Sequence, residues 1–327
     1  MTVKVLHAGM LTTIQDLGRY GYQKYGVIVS GAMDSYSLRL ANILVGNDES
    51  EGTLEITLYG TTLQFEEDTL IAITGGNFQA TINETPAPLW RPVLIKKNSI
   101  LKFNSAIKGS RAYVAFAGGI NIPKVMGSKS TYLRANIGGV NGRTIQKGDI
   151  LATGKAKEMN NEFLQQLENN TLNWSINFNE LINFSHDLVV RILIGTEFHL
   201  FDKANQQTFL NAAYILTVQS DRMGYRLEGP SITIKEHFEL LSEGVTFGTI
   251  QIPSNGQPII LMADRQTTGG YPKIAQVITA DLPSLAQLQP TATLHFKEIN
   301  IEEAEKVLLK NEKLISSIKA AIQHKMF

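Results

Sequence analysis

The sequence predicts a mainly β protein of two similar lobes, joined by a polar connector and followed by a C-terminal helix. Three observations carry this reading. Short apolar runs broken by turn residues fill residues 53–151 and return over 188–296, the pattern of β-barrels or sandwiches. A motif of the first region recurs in the second. An asparagine-rich stretch lies between them. The expected organisation is a first lobe over 1–155, a connector over 156–186, a second lobe over 187–299 and a helix over 300–327.

In the first lobe, short strand-like runs lead into LTTIQDLGRYGYQKYGVIVSGAMD. Glycines 18, 21, 26 and 31 preclude a long regular element there. A helix is expected over Ser35–Val45, with Asp34 to cap its start and Gly46 where it stops. Leu38, Ala41, Leu44 and Val45 form its apolar stripe. The runs LEITLYG, TLQF, TLIAITGG, LIKKNSILKF and RAYVAFAGGI read as strands.

The connector carries eight asparagines between Asn160 and Asn183, and a short helix is expected over Glu162–Leu167. Strands resume at Leu188. The final helix has a capping-box pair in Asn300 and Glu303. Its apolar residues Ile301, Ala304, Leu308, Ile315, Ile318 and Ile322 recur at helical spacing, for packing on a lobe.

The internal echo pairs TIQDLGRYGYQKYG with TVQSDRMGYRLEG. Their Gly-Tyr steps, Gly21-Tyr22 and Gly224-Tyr225, lie 203 residues apart. Each copy places an arginine, Arg19 or Arg222, two residues before the glycine. The runs TLIAITGG and PIILMADRQTTGG also both end near Gly-Gly, which suggests duplication.

The chemistry concentrates in PIILMADRQTTGGYPKIA, residues 258–275. Ile259 to Ala263 read as a strand buried on both faces. Asp264, Arg265, Gln266, Thr267 and Thr268 follow, then a Gly269-Gly270 turn with positive φ, Tyr271 and Lys273. A rigid strand thus delivers cations, a carboxylate, an amide and hydroxyls to one rim. The competing reading keeps these groups structural: Asp and Thr satisfy turn amides, and Arg265 pairs with Asp264. Arg19, Arg222, Arg226 and Arg134 are suited to carboxylate or phosphate, although ion pairing is the commoner role of such residues.

Composition narrows the function. Of 327 residues, 43% are hydrophobic and 18% charged, as in globular proteins. Thirty basic residues balance thirty acidic ones, so no global field favours nucleic acid or an anionic membrane. The absence of cysteine excludes disulfides and thiolate chemistry. The start, MTVKVLHAGM, lacks a signal-peptide pattern, and no run approaches the ~20 apolar residues of a spanning helix. A cytoplasmic location is expected. No metal site is expected, because the six histidines are scattered at 7, 186, 199, 237, 295 and 324. GGVNGRT (138–144) and MGSKST (126–131) depart from the spacing and residues of a phosphate-binding loop and read as turns. The nucleophile elbow of serine hydrolases is missing.

Taken together, TTIQDLGRYGYQKYGVIVSGAMDSYSLRLANILVGN, GSKSTYLRANIGGVNGR, SDRMGYRLEGP, LLSEGVTFGTIQIPSNGQPIILMADRQTTGGYPKIA and DLPSLAQLQP resemble the allophanate hydrolase subunit 2 family. This biotin-dependent carboxyltransferase domain family includes the C-type component of 5-oxoprolinase and KipA-like proteins. The resemblance runs from about Thr12 to Phe296. It implies two cyclophilin-like β-barrel lobes. It implies a partner of the allophanate hydrolase subunit 1 type (the B-type, KipI-like protein), joined in 5-oxoprolinase by an A-type protein. That complex uses ATP to open 5-oxoproline to glutamate. The alternatives are a carboxyltransferase component that passes a carboxyl group from biotin to a urea-like substrate, and a KipA-like regulator that binds a kinase-inhibitor partner. Prolyl isomerase activity rests on the fold name alone. The chemistry of the amide reaction needs donors at a carbonyl oxygen that gains charge. By residue type, Arg265, Gln266, Thr267, Thr268 and Lys273 suit that role, and Asp264 suits orienting them or accepting a proton. Arg19, Asp221, Arg222, Tyr225, Gly270 and Tyr271 are the candidate substrate-binding residues, with Arg19 or Arg222 clamping a carboxylate.

Overall fold

The computed structural model describes residues 2–234 and 240–327, so His237 lies outside the described residues. The chain is mainly β, with five α-helices among the described residues. The first β unit contains β1 (Thr2–His7), β2 (Leu11–Gln15), β3 (Thr53–Thr57), β4 (Thr62–Phe65), β5 (Thr69–Asn77), β6 (Thr81–Ile82), β7 (Thr85–Pro86), β8 (Pro92–Ile95), β9 (Ile100–Lys102), β10 (Lys108–Phe116) and β11 (Ile150–Ala152). They form two antiparallel sheets, ordered β11-β1-β4-β9-β6-β7 and β2-β3-β10-β5-β8.

The second sheet is covered on both faces, and strand alternation shows how. On β5, Ile71 and Ile73 face the six-stranded sheet, while Leu70 and Ala72 face a helical layer. On β10, Ala112, Val114 and Phe116 take the first side, and Tyr113 and Ala115 the second. Two-sided burial explains why both strands read as continuous apolar runs.

The helical layer begins with α1 (Ser35–Leu44), capped by Asp34, whose side chain accepts from Ser37 N. Its end is marked by Gly46, with φ +73°. The connector adds α2 (Asn161–Glu168), capped by Asn160. The connector packs into the core, because Phe163, Leu167, Leu172, Ile176, Leu181 and Ile182 are all buried there.

The second β unit contains β12 (Asp187–Ile194), α3 (Lys203–Asn211), β13 (Ala213–Leu216), β14 (Gly224–Glu228), β15 (Glu243–Gly244), β16 (Thr249–Gln251), β17 (Ile259–Leu261), β18 (Thr268–Gly269), β19 (Lys273–Val277), α4 (Leu282–Ala286) and β20 (Thr293–Glu298). Seven of these strands close a barrel in the order β12-β19-β16-β17-β14-β13-β20. Closure comes from β12 and β20 pairing in parallel, Asp187 with Thr293 through Ile192 with Glu298. β15 and β18 form a separate two-stranded arm. The two β units differ in closure: one is a pair of sheets, the other a barrel.

The final helix, α5 (Ile301–Met326), has both bonds of the Asn300–Glu303 capping box. It touches both units. Ala304 packs with Ile278 and Ala280 of the second, while Ile315, Ile322 and Met326 join the helical layer of the first. Arg39 of α1 forks onto Glu312 with two bonds of 2.7 Å, a geometry suited to fixing a helix in register. Ile301 departs from the expected stripe. It is half exposed and borders a groove instead of joining the core.

Candidate functional site

The site is built on the outside of the barrel wall. Along β14, Tyr225 and Leu227 point into the barrel core. Gly224 and Arg226, which alternate with them, line a cleft. Along β17, Ile260 is inside, and Ile259 and Leu261 floor the same cleft. The expectation of a strand buried on both faces is corrected here. β17 has only three residues, with one side in the core and the other in the cleft. An apolar cleft floor and an apolar core face are written in the same residues.

The cleft has a volume of about 330 Å³, at the small end of the roughly 300–1,000 Å³ range of small-ligand sites. Its polar lining is Arg134, Asp221, Arg226, Gln251, Arg265, Gln266, Thr268 and Tyr271. Arg134 belongs to the first β unit and reaches Asp221 of the second across 3.7 Å. The loop between Asp264 and Lys273 and the turn before β14 thus share one concavity. The Gly-Gly step differs from expectation, since neither Gly269 nor Gly270 has positive φ. Gly269 leaves room for a neighbour: a Cβ there would stand 2.5 Å from Gln251 Nε2 and displace the end of that side chain, which is bonded to Tyr271 O.

Arg265 is half-buried, and burial pushes its guanidinium below the usual value, against the raising effects of Tyr20 and Asp264. Its Nε is buried without a partner, and its guanidinium lies 5.9 Å from the centre of the Phe247 ring. It also borders a second, larger groove of about 830 Å³ that runs past Tyr20, Phe247 and the start of α5.

Asp264 and Arg222 face the other way, into a buried seam between the β units. Arg222 donates from Nε to Asp264 Oδ2 (2.8 Å) and from Nη2 to Asp264 Oδ1 (3.0 Å). Nη2 also donates to Gly31 O at 2.6 Å, and Nη1 to Glu55 Oε1. Asp264 Oδ1 also accepts from Ser30 Oγ at 2.7 Å. Glu55 Oε2 accepts from Met33 N and Tyr113 OH. Desolvation would lower Arg222, but the two carboxylates overcome it and raise its pKa. Each carboxylate oxygen in this seam thus has a donor, and its chemistry is that of a structural ion cluster.

The other candidates divide in the same way. Arg19 is buried, donates to Ser130 O, and lies in the fields of Asp16 and Asp264. Burial lowers its pKa, and its Nε and Nη1 have no partner. Both arginines of the sequence echo therefore converge on the seam. Tyr225 is buried, with its hydroxyl accepting from Arg111 Nη1 at 2.6 Å. Lys273 is held by Glu243 and, at 3.7 Å, by Glu197, and is outside the cleft lining. Its pKa is raised by the Glu243 bond first. Thr267 is also outside that lining, with its carbonyl bonded to Val245 N. Arg265, Gln266, Thr268, Gly270, Tyr271 and Asp221 are the candidates that the cleft brings together.

Two further cleft residues, Arg134 and Arg226, are among the arginines suited by type to carboxylate or phosphate, with ion pairing the commoner role. A signal for Arg226 exists in GYRLE, whose alternation puts Tyr225 and Leu227 on one face and Arg226 on the other. Among the described residues no group of three or more His, Asp or Glu side chains is arranged to hold a metal. No helix among them is long and apolar enough to cross a membrane.

The barrel, its paired sheets and the cleft between them define a class of protein. The family model for the carboxyltransferase domain, subdomains A and B, matches residues 25–298. The chain belongs to this family. It is 42% identical over 306 residues to the C subunit of 5-oxoprolinase from Escherichia coli K12, covering 93% of each chain. It is 37% identical over 323 residues to the C subunit of 5-oxoprolinase from Haemophilus influenzae, covering 99% of each. The crystal structure of urea amidolyase from K. lactis superposes with a TM-score of 0.87 at 29% identity. That match covers 97% of this chain and 20% of the amidolyase chain, so this chain corresponds to about one fifth of that enzyme.

Proposed function

We propose that this chain is the C-type component of an ATP-dependent 5-oxoprolinase complex that opens 5-oxoproline to glutamate. The observation that carries the reading is end-to-end similarity, 93% of both chains at 42% identity, to a protein named as that component. The cleft suits the chemistry. In the net reaction the lactam C–N bond breaks as water adds, with hydroxyl to the carbonyl carbon and a proton to nitrogen. Donors aimed at the carbonyl oxygen lower such a barrier by roughly 3 kcal/mol each. Arg265, Gln266 and Thr268 are the donors on the cleft rim. Asp264 serves as their support, since its oxygens are occupied by Arg222 and Ser30.

ATP is used at the level of the complex, and the chain alone is inactive. Its partners are a B-type (KipI-like, allophanate hydrolase subunit 1) protein and an A-type protein. A stable contact with the first buries on the order of 1,200 Å² or more in total. The test mixes the purified chain with these partners and scores glutamate from 5-oxoproline with and without ATP. Turnover only in the full mixture supports the proposal. Turnover by the chain alone, or none in any mixture despite stable co-elution, overturns it. The latter outcome points to a KipA-like regulatory role.

A second reading is favoured by the carboxyltransferase family match and the likeness to urea amidolyase. In it, the chain transfers a carboxyl group from biotin on a separate carrier to a urea-like or amide substrate. Transfer of labelled carboxyl from a carboxylated biotin carrier distinguishes the two.

A further inference from the structure

The charge of the cleft gives a role to two side chains outside the loop that supplies its donors. Among the described residues three guanidiniums line it, Arg134, Arg226 and Arg265, against one carboxylate, Asp221. Such an excess suits an anion. The guanidiniums are not equally engaged. Arg226, exposed on β14, pairs with no carboxylate among the described residues. Among the described residues Arg134 meets only Asp221, at 3.7 Å, with both side chains more than half exposed. A pair so loose and so wet contributes little stability and is readily exchanged. The two arginines first suggested for a ligand carboxylate, Arg19 and Arg222, are buried in the seam and outside the cleft lining.

We infer that Arg226 and Arg134 form the carboxylate clamp of the cleft, with the ligand carboxylate replacing Asp221 as the partner of Arg134. This rests on the 5-oxoprolinase reading for the identity of the ligand. A guanidinium offers a planar fork that matches a carboxylate. In 5-oxoproline the carboxylate-bearing carbon and the lactam carbonyl flank the ring nitrogen. Holding the carboxylate at Arg226 and Arg134 leaves the carbonyl to the rim of Arg265, Gln266 and Thr268. Arg134 comes from the first β unit and Arg226 from the barrel, so the ligand bridges the two. Asp221 is then a discriminating residue, since it repels any anion that fails to engage Arg134.

The test measures affinity for 5-oxoproline and for 2-pyrrolidinone, the same ring without the carboxylate, by calorimetry on the full chain in its complex. The wild type is expected to prefer 5-oxoproline. Arg226→Gln and Arg134→Gln are each expected to weaken 5-oxoproline binding by about tenfold or more and to leave 2-pyrrolidinone binding unchanged. In turnover the loss falls on KM far more than on kcat. Asp221→Asn is expected to tighten 5-oxoproline binding. Unchanged 5-oxoproline affinity in both arginine variants overturns the clamp, as does equal weakening of both ligands. If the complex turns over no 5-oxoproline, the functional reading falls, and the clamp is judged by titrating L-glutamate and inorganic phosphate into the chain. Arginine-dependent binding of glutamate keeps the clamp. Binding of phosphate alone, or of neither anion, overturns it.

Discussion

Replacing Arg222 with methionine separates the structural from the catalytic reading of the loop that follows β17. Methionine keeps much of the length and apolar volume while removing the charge. Asp264 then loses two of its three named donors and keeps Ser30 Oγ. Glu55 loses one, keeping Met33 N and Tyr113 OH, with Arg111 Nε still 4.0 Å away. Gly31 O loses its bond as well. Two carboxylates are left buried without their cation, a loss of about 3–5 kcal/mol. Urea unfolding followed by circular dichroism reads this as a lower midpoint with an unchanged slope. The double variant Arg222→Met, Asp264→Asn is expected to lose less than the sum of the single changes, because the two groups share one network. An Arg222→Met chain that unfolds like the wild type, yet has lost turnover in the complex, refutes the structural assignment of the seam.

Three further outcomes follow. Arg265→Ala is expected to reduce turnover of the complex about a hundredfold or more at unchanged melting, as for loss of a transition-state donor. Lys273→Ala, by contrast, is expected to leave turnover near the wild-type value, because Lys273 is paired with Glu243 and Glu197 outside the cleft lining; a collapse of turnover in that variant returns Lys273 to the chemistry. Asp34 should titrate near pH 6, because complete burial raises its carboxyl to about 6 despite bonds from Gln287 and Ser37. The native state then holds that proton more tightly than the unfolded chain. Its contribution to stability therefore falls as pH rises from about 4 to about 6, by roughly 3 kcal/mol, and is level above that window. An NMR carboxyl titration of Asp34 with a midpoint at the ordinary carboxylate value rules this out.

Local features of the fold were legible because their causes are local. Asp34, Asn160 and Asn300 each cap the helix expected after them, since a cap is a contact over three residues. A barrel was expected, but the pairing that closes it was not legible. It depends on residues 187–192 meeting 293–298 in parallel, and no local pattern encodes a pairing across a hundred residues. Glu55 was missed for a related reason. Alternation in LEITL puts it opposite Leu54 and Ile56, but says nothing about what covers that face. Here it is Arg222 of the other β unit. The packing of the connector was not read, because asparagine content hides how its few large apolar residues reach the core.

The seam and the cleft are made from alternate sides of the same short segments. Arg222 turns into the seam, while its neighbours Asp221 and Met223 line the cleft. Asp264 turns inward beside Arg265 and Gln266, which line the cleft. The two segments are also joined through the backbone, with Asp264 N donating to Arg222 O at 2.8 Å and Met262 N to Met223 O at 2.9 Å. A fixed ion cluster directly behind the cleft wall holds the cleft residues in register, which is how a small site gains precision without rigid side chains of its own. The cost of burying those charges is offset only while every oxygen keeps its donor. Any change that loosens the meeting of the two β units therefore moves Asp221 and Arg265 together relative to Arg134. Of the polar residues around Asp264, therefore, Arg265, Gln266, Thr268 and Tyr271 line the cleft, Asp264 faces the seam, and Thr267 and Lys273 lie outside the cleft lining.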